Sequence, residues 1–475
     1  MTKSNMNISR RGLLKASGAG LAQALGVTSL SALAPITAQA QSGYRALVCL
    51  FLYGGNDGNN MIVPTDSRYD QYNAVRGGSI GLPRNSLVNL SGVPFGLHPA
   101  MASLQSVWNE GALAPIFNVG PIHSPMTKEQ LLALSRGDAR LPNGLYSHSD
   151  QQTLWTAAGV NSTARTGWGG RAADNMGMTN PVMSFGGSGL YGLSDAGAGL
   201  SLPSRPGSTF GLQGYGSWSV PTARRSALEN MYANASESNK MLNALIKEQN
   251  NAFDVADRLG SIIGVRRNDG DNPRYAAIDA AFEPYFSSGF NGGLGNQLYM
   301  IARMVMDRGV VQGNRQIFMA AQGGYDTHNG QGGESGSHQR LLESLAMGMS
   351  SFYAAMKAIG MQNAVTLFTQ SDFGRTFKPN ASDGTDHAWG NHHLIMGGAV
   401  NGRQTYGQFP QLEILGPNDH GVNQWQDQGR WIPTTSVEQY SASLLRWMGA
   451  SPSTLGSILP GLSRFPVTDL GIMGA

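Results

Sequence analysis

The sequence predicts an α/β fold: a mostly parallel sheet flanked by helices, with a mainly helical and irregular insertion. Three observations carry this expectation. Short runs that are apolar at both parities recur along the chain, as strands buried on both faces require. Helical patterns alternate with them over most of its length. Hydrophobic residues make up 41% of the 475 residues, enough for a sizeable core. Charged residues are only 13% and Gly reaches 64, which fits a loop-rich globule and argues against a coiled coil.

The N-terminus reads as an address rather than a structural element. Ser9-Arg10-Arg11-Gly12-Leu13-Leu14-Lys15 matches a twin-arginine export motif, and Ala38-Gln39-Ala40 matches an A-x-A cleavage pattern. Residues 1–40 are therefore expected to be a signal peptide and residues 41–475 a periplasmic or secreted α/β domain. Without Lys3, Arg10, Arg11 and Lys15, the 33 basic residues fall to 29 against 30 acidic ones. A near-neutral mature chain gives no electrostatic reason to expect nucleic acid or an anionic membrane as partner. No later run approaches the ~20 apolar residues of a membrane span. The single cysteine, Cys49, can form no internal disulfide and lies in an apolar run, as a small core residue does.

In chain order, residues 45–53 form the first buried strand, ended by Gly54-Gly55-Asn56-Asp57-Gly58. Similar runs at 113–119, 182–185, 316–321, 365–369 and 394–396 predict five more strands. Helical patterns fall at 99–109, 150–158, 168–176, 296–308, 338–359 and 436–447. Residues 187–290 break the rhythm and are expected to form an insertion or cap, Gly/Ser/Pro-rich at first and then helical over 222–263. Phe210, Tyr215 and Trp218 within it need somewhere to pack. The G-x-G-x-x-G match at 187–192 has no apolar-periodic helix after it and is set aside as a nucleotide site.

In open α/β sheets, ligands collect beyond the carboxyl ends of strands. Here those ends carry Asp57, then Asp326-Thr327-His328, then Asp372-Phe373-Gly374-Arg375, then Asp386-His387 leading into His392-His393. Six of the nine histidines lie between 328 and 420. Carboxylate plus imidazole suits a divalent metal, which polarises an ester and lowers the pKa of a bound water. Asp326/His328 and Asp386/His387 are the main candidates for that role, and one of His392 and His393 is a further candidate. Ser147, His148 or Ser149 open a helix whose free N–H groups would stabilise a transferred anion, although Ser149-x-x-Gln152 also reads as a capping box. Arg375 either clamps an oxyanion or pairs with a neighbouring acid.

Taken in order, the twin-arginine leader, Gly-Gly-Asn-Asp-Gly, Ser147-His148, Gly167-Trp168-Gly169-Gly170-Arg171, Asp326-Thr327-His328, Ser371-Asp372-Phe373-Gly374-Arg375-Thr376 and Asp386-His387 carry a resemblance. The chain resembles the bacterial exported family of domain of unknown function 1501, itself similar to the alkaline phosphatase/sulfatase superfamily. The resemblance implies an alkaline-phosphatase-like fold and metal-dependent hydrolysis of phosphate or sulfate esters. It implies metal ligands at Asp57, Asp326, His328, Asp372 and His387, with Ser147 as nucleophile. His148, His392 or His393 would then serve as acid/base or orienting group. The metal would be Zn, Mn, Ca or Fe, and the partner a small-molecule or polymer ester. Two departures stand out: the D-x-H spacing of Asp326 and His328, and Phe373 where a His for a second metal is expected. They leave a mononuclear hydrolase and a non-catalytic envelope binding or assembly protein as alternative readings.

Overall fold

A computed structural model describes residues 43–187, 189–211, 219–233, 240–290 and 292–474. The leader expected at 1–40, together with Tyr215 and Trp218, lies outside the described residues. In chain order the strands are β1 (Arg45–Leu52), β2 (Ile62–Pro64), β3 (Val88–Asn89), β4 (Phe95–Leu97), β5 (Leu113–Gly120) and β6 (Met183–Ser184). They continue with β7 (Leu200–Ser201), β8 (Arg315–Gln322), β9 (Val365–Ser371), β10 (Asn391–Met396), β11 (Tyr406–Gly407) and β12 (Thr435–Ser436). Helices that bear on the site are α1 (Arg68–Arg76), α2 (His148–Ala157), α3 (Trp168–Asn175), α4 (Ala276–Ser287), α5 (Gly293–Met306), α6 (Ser337–Ala358) and α7 (Val437–Met448).

The main sheet runs β11-β5-β10-β9-β1-β8-β6-β7, with β12 also paired to β5. Strands β9, β1, β8, β6 and β7 are mutually parallel. Strand β10 is the exception and runs antiparallel to both β9 and β5. Its direction follows from its connection. A parallel neighbour needs a crossover element, whereas β9 reaches β10 through loop 372–390 with no helix in it. Strands β2, β3 and β4 form a separate antiparallel sheet.

The continuous apolar run of β1 is explained by its two faces. Ala46, Val48, Leu50 and Leu52 join one core with residues of α4, α5 and α6, whereas Leu47, Cys49 and Phe51 join another with residues of α2, α3 and α7. Both sets are buried, so no polar alternation survives in the sequence. Phe210 packs against the first core. Part of the expected insertion is helical, with helices at Ser219–Ala233 and Lys240–Ile263. Among the described residues no helix is long and apolar enough to cross a membrane.

Register brings the chemistry to one edge. Leu52 pairs with Gln322 on one side and Ser371 on the other, so β1, β8 and β9 end level. Because β10 is antiparallel, its first residue, Asn391, lies at that same edge opposite Val119 of β5. The segments 323–328 and 372–375 therefore leave from one line, and 386–390 returns to it.

Candidate metal centre

Three imidazoles meet one carboxylate at this edge. Asp326 Oδ1 lies 3.0 Å from His328 Nε2, 3.3 Å from His387 Nε2 and 3.4 Å from His148 Nε2. The donor atoms of His148, Asp326 and His387 all lie within 4.8 Å of one another. His328 Nε2 is 2.8 Å from His387 Nε2.

The other nitrogen of each ring is fixed by a group that can only accept. His148 Nδ1 donates to Asp372 Oδ2 at 2.6 Å, His328 Nδ1 to Asp386 Oδ1 at 2.9 Å, and His387 Nδ1 to the Tyr146 carbonyl at 2.6 Å. These acceptors assign the tautomer: each neutral ring carries its proton on Nδ1 and leaves Nε2 as a bare lone pair. Two bare lone pairs 2.8 Å apart repel unless a cation or a shared proton lies with them. His148 Nε2 is also buried and without a hydrogen-bond partner. Metal-ligating histidines are held this way, by an oxygen acceptor on the ring nitrogen away from the metal.

The surroundings set the charges. Burial alone would push the Asp326 carboxyl up, but the hydrogen bond and charge of the Arg375 guanidinium are the main opposing causes, and it lies at about 2. It is therefore a carboxylate at any ordinary pH. The Asp372 hydrogen bond raises His148, whereas burial lowers His387. Burial also opposes ionisation of Asp386, but its hydrogen bonds to His328 and Asn380 and the nearby positive charge together outweigh that, leaving its pKa below the usual range. Phe373 packs its ring against both His148 and His387, with centroids 4.8 and 4.5 Å away, and forms the apolar wall of the cluster.

Tyr146 is held at φ 73°, in the left-handed region that a bulky residue avoids. In that position its carbonyl accepts from His387, its hydroxyl meets His420 Nδ1 at 2.6 Å and its ring lies under Arg430. Backbone strain of this kind collects at functional sites. Tyr146 is not among the residues expected at the site, and Gln152, expected only as a capping-box partner, donates to Asp372 Oδ2 at 3.0 Å. The one available signal was their closeness in the chain to His148.

The residues expected at the site fall into two groups. Asp326, His328, His387 and His148 share the cluster. Asp372 stands one layer behind, its Oδ2 accepting from His148, Gln152 and the Gly54 N–H, and it orients an imidazole rather than joining the donor set. Asp57 is elsewhere: it is fully buried and its carboxylate is taken up by Arg76, with oxygen–nitrogen distances of 2.7 and 3.2 Å. Arg375 is also fully buried, and donates to the carbonyls of Gly54, Gly55 and Thr385 and to Asp326. It pairs with an acid and is not a free oxyanion clamp.

Ser147 is the N-cap residue of α2 and its hydroxyl meets Ser149 Oγ at 3.3 Å, not the imidazoles. The Ser149–Gln152 capping box does not form, because the helix already starts at His148 and Ser149 lies inside it; Gln152 turns to Asp372. His392 and His393 are strand residues of β10, both buried. His392 Nδ1 accepts from the Asn118 N–H, and His393 Nδ1 meets Thr369 Oγ1. Burial lowers them to about 4 and about 3, so they stay neutral within the sheet.

Among solved structures, the chain is similar to the crystal structure of wild type alkaline phosphatase PafA at 11% identity and a TM-score of 0.29. That match covers 70% of this chain and 63% of the other, so the chain spans less than two thirds of that protein's length. It is also similar to the crystal structure of Ps i-CgsB in complex with k-i-k-neocarrahexaose, at 10% identity and a TM-score of 0.33, covering 90% of this chain and 77% of the other. No curated protein matches the sequence. A family model matches residues 94–418, and the chain accordingly belongs to the family described as Protein of unknown function (DUF1501).

Proposed function

We propose that this chain is an exported, metal-dependent hydrolase of phosphate or sulfate esters, built on an alkaline-phosphatase-like fold. One observation carries the reading: three Nδ1-tethered imidazoles aim bare Nε2 lone pairs at the Asp326 carboxylate, two of them 2.8 Å apart. His148, Asp326 and His387 would hold the ion, with His328 as fourth donor. Imidazole with a single carboxylate suits Zn, Fe or Mn, whereas Ca requires a shell of oxygens. When bound, such an ion polarises an ester oxygen and acidifies water.

The chain's own residues do the remaining work. Asp372, Asp386 and the Tyr146 carbonyl fix the ring orientations. Arg375 keeps Asp326 ionised, and Phe373 excludes water from one side of the cluster. The Ser147 hydroxyl meets Ser149 Oγ rather than the cluster, and the nucleophile in this reading is water rather than Ser147. The leader reading completes the proposal: the protein folds with its ion and is then exported.

Elemental mass spectrometry on native exported protein, beside an Asp326→Ala/His328→Ala variant, tests the reading. Near-stoichiometric Zn, Fe or Mn in the parent, lost in the variant, is the expected result. It should be accompanied by turnover of an aryl phosphate or aryl sulfate that a chelator abolishes. An ion-free parent, or turnover indifferent to Asp326 and His387 substitution, would overturn the assignment.

A further inference from the structure

The donors come from distant stretches of chain, and something must hold those stretches in register. The ligand-bearing loops 326–328 and 385–387 meet directly, through the Thr385 N–H on the Thr327 carbonyl at 3.0 Å and through His328 on Asp386, and a buried amide ties their side chains together beside these contacts. Gln331 Oε1 accepts from Thr327 Oγ1 at 2.8 Å and from Thr385 Oγ1 at 2.5 Å. Thr327 sits between Asp326 and His328, and Thr385 directly precedes Asp386 and His387. The Gln331 amide nitrogen donates to Asp57 Oδ2 at 2.6 Å. Asp57 accepts only, and both hydroxyls must donate to the remaining oxygen, so the amide can point in one direction alone.

The clasp continues behind Asp57. Arg76 pairs with both its oxygens and donates to the carbonyls of Thr376 at 2.9 Å and Phe377 at 2.8 Å. Residues 375–377 in turn pair with 386–387: the Thr376 N–H donates to the Asp386 carbonyl, and Arg375 bridges His387. Gln331, Thr385, Asp57 and Arg76 are fully buried, and Thr327 nearly so. A buried amide that serves three partners is costly to disturb, because each lost bond strands a polar group away from water.

We propose that Gln331 is the positioning residue of the centre: its amide, anchored on the Asp57–Arg76 pair, sets the separation of His328 and His387. This rests on the metal reading for its function but not for its geometry. The acid after the first strand, expected to be a ligand, thus serves as the anchor of the ligand loops.

The test uses the full mature chain. Cobalt(II) titration reads affinity and the visible d–d bands, and thermal unfolding reads the fold. Gln331→Leu is expected to weaken cobalt binding roughly 10- to 100-fold, the usual cost of losing an outer partner, and to alter the bands. Thr385→Val, which removes one hydroxyl only, should do the same to a smaller degree and covers the case in which Gln331→Leu fails to fold.

Rescue by the conservative variant provides the discriminating arm. Thr385→Ser keeps the hydroxyl that donates to Gln331 and should keep cobalt affinity near the parent's, whereas Thr385→Val loses it. Parent-like affinity and bands in Gln331→Leu and Thr385→Val would overturn the proposal, as would a folded Thr385→Ser that binds cobalt as weakly as Thr385→Val. If the parent takes up no cobalt, the metal reading fails. The clasp is then judged by the ring 15N resonances of His328 and His387, which Gln331→Leu must move; unchanged resonances refute it.

Discussion

A serine at the start of a helix is a good nucleophile only if its hydroxyl faces the reacting centre. The Ser147 hydroxyl faces Ser149 instead, and the α2 residue that reaches the cluster is His148. Ser147→Ala should therefore leave turnover within about two-fold of the parent, whereas His148→Ala should lose it, measured as kcat/KM on one aryl ester. A covalent phosphoryl or sulfuryl adduct on Ser147 would refute this. Glu438 supplies a second test, away from the site. It lies in the first turn of α7, fully buried, with neither carboxylate oxygen hydrogen-bonded among the described residues. Burial raises its pKa from 4.5 to about 7. The folded chain then binds more protons than the unfolded one between those values. Its contribution to stability is complete below pH 4.5 and is lost as pH rises through 7. Glu438→Gln should remove that loss and stabilise the protein at pH 8 by a few kcal/mol at most, on the order of 1.4 kcal/mol for each tenfold difference in proton affinity between the folded and unfolded chain. Denaturant midpoints at pH 5 and pH 8 measure it; equal differences between parent and variant at both pH values would count against the argument.

Elements explain why some motifs are legible for the wrong reason. Gly167-Trp168-Gly169-Gly170-Arg171 opens α3, where Ala would ordinarily be favoured over Gly by about 1 kcal/mol. Here a Cβ on Gly169 would come within 2.7 Å of the Tyr191 ring, and one on Gly170 would strike the Leu193 carbonyl. Arg171 donates to the carbonyls of Ile458, Thr166 and Ala157. The motif is thus a packing device that seats α3 on the 190–193 turn. Gly170→Ala should destabilise by roughly 1–3 kcal/mol, as overpacking does, despite the gain in helix propensity. Equilibrium unfolding decides, and a neutral or stabilising change would show that the turn yields. The same distinction explains Asp57. An acid at a strand end reads alike whether it meets a metal or a guanidinium, and its partner Arg76 is 19 residues away on α1. The orientation of β10 was hidden for a related reason: a buried run has no polarity, and only the helix-free loop before it could have hinted at its direction. Asp326, His328 and His387 were readable because acid and imidazole recur at successive strand ends.

At the scale of the whole molecule, the site is a cross-link between remote parts of one chain. His148, Asp326 and His387, with His328 at 3.0 Å from Asp326, belong to three separate segments, and residues 43–475 form one unit by their internal contacts. What the sequence could show was the buried strands β1, β5, β6, β8, β9 and β10, though not the short β2, β3, β4, β7, β11 and β12, and where acid and imidazole side chains gather along them. It could not show which acids pair with arginines, because that depends on contacts across hundreds of residues. A ligand that binds only the folded chain stabilises it by RT ln(1 + [L]/Kd), about 4 kcal/mol when free ligand is near a thousand times Kd. The apposed Nε2 lone pairs of His328 and His387 add a reason for the ion-free site to be the weaker state, since their repulsion is relieved only by a cation or a proton. Chelator treatment should therefore lower the thermal midpoint of the protein by several degrees, and a stoichiometric addition of Zn, Fe(II) or Mn should restore it. Asp326→Ala should have a midpoint near that of the chelated parent and respond to neither treatment. Differential scanning calorimetry at fixed pH provides the measurement. A midpoint indifferent to chelator and metal in the parent, with the protein shown to be ion-free, would mean that the four donors are held together by protons and hydrogen bonds alone.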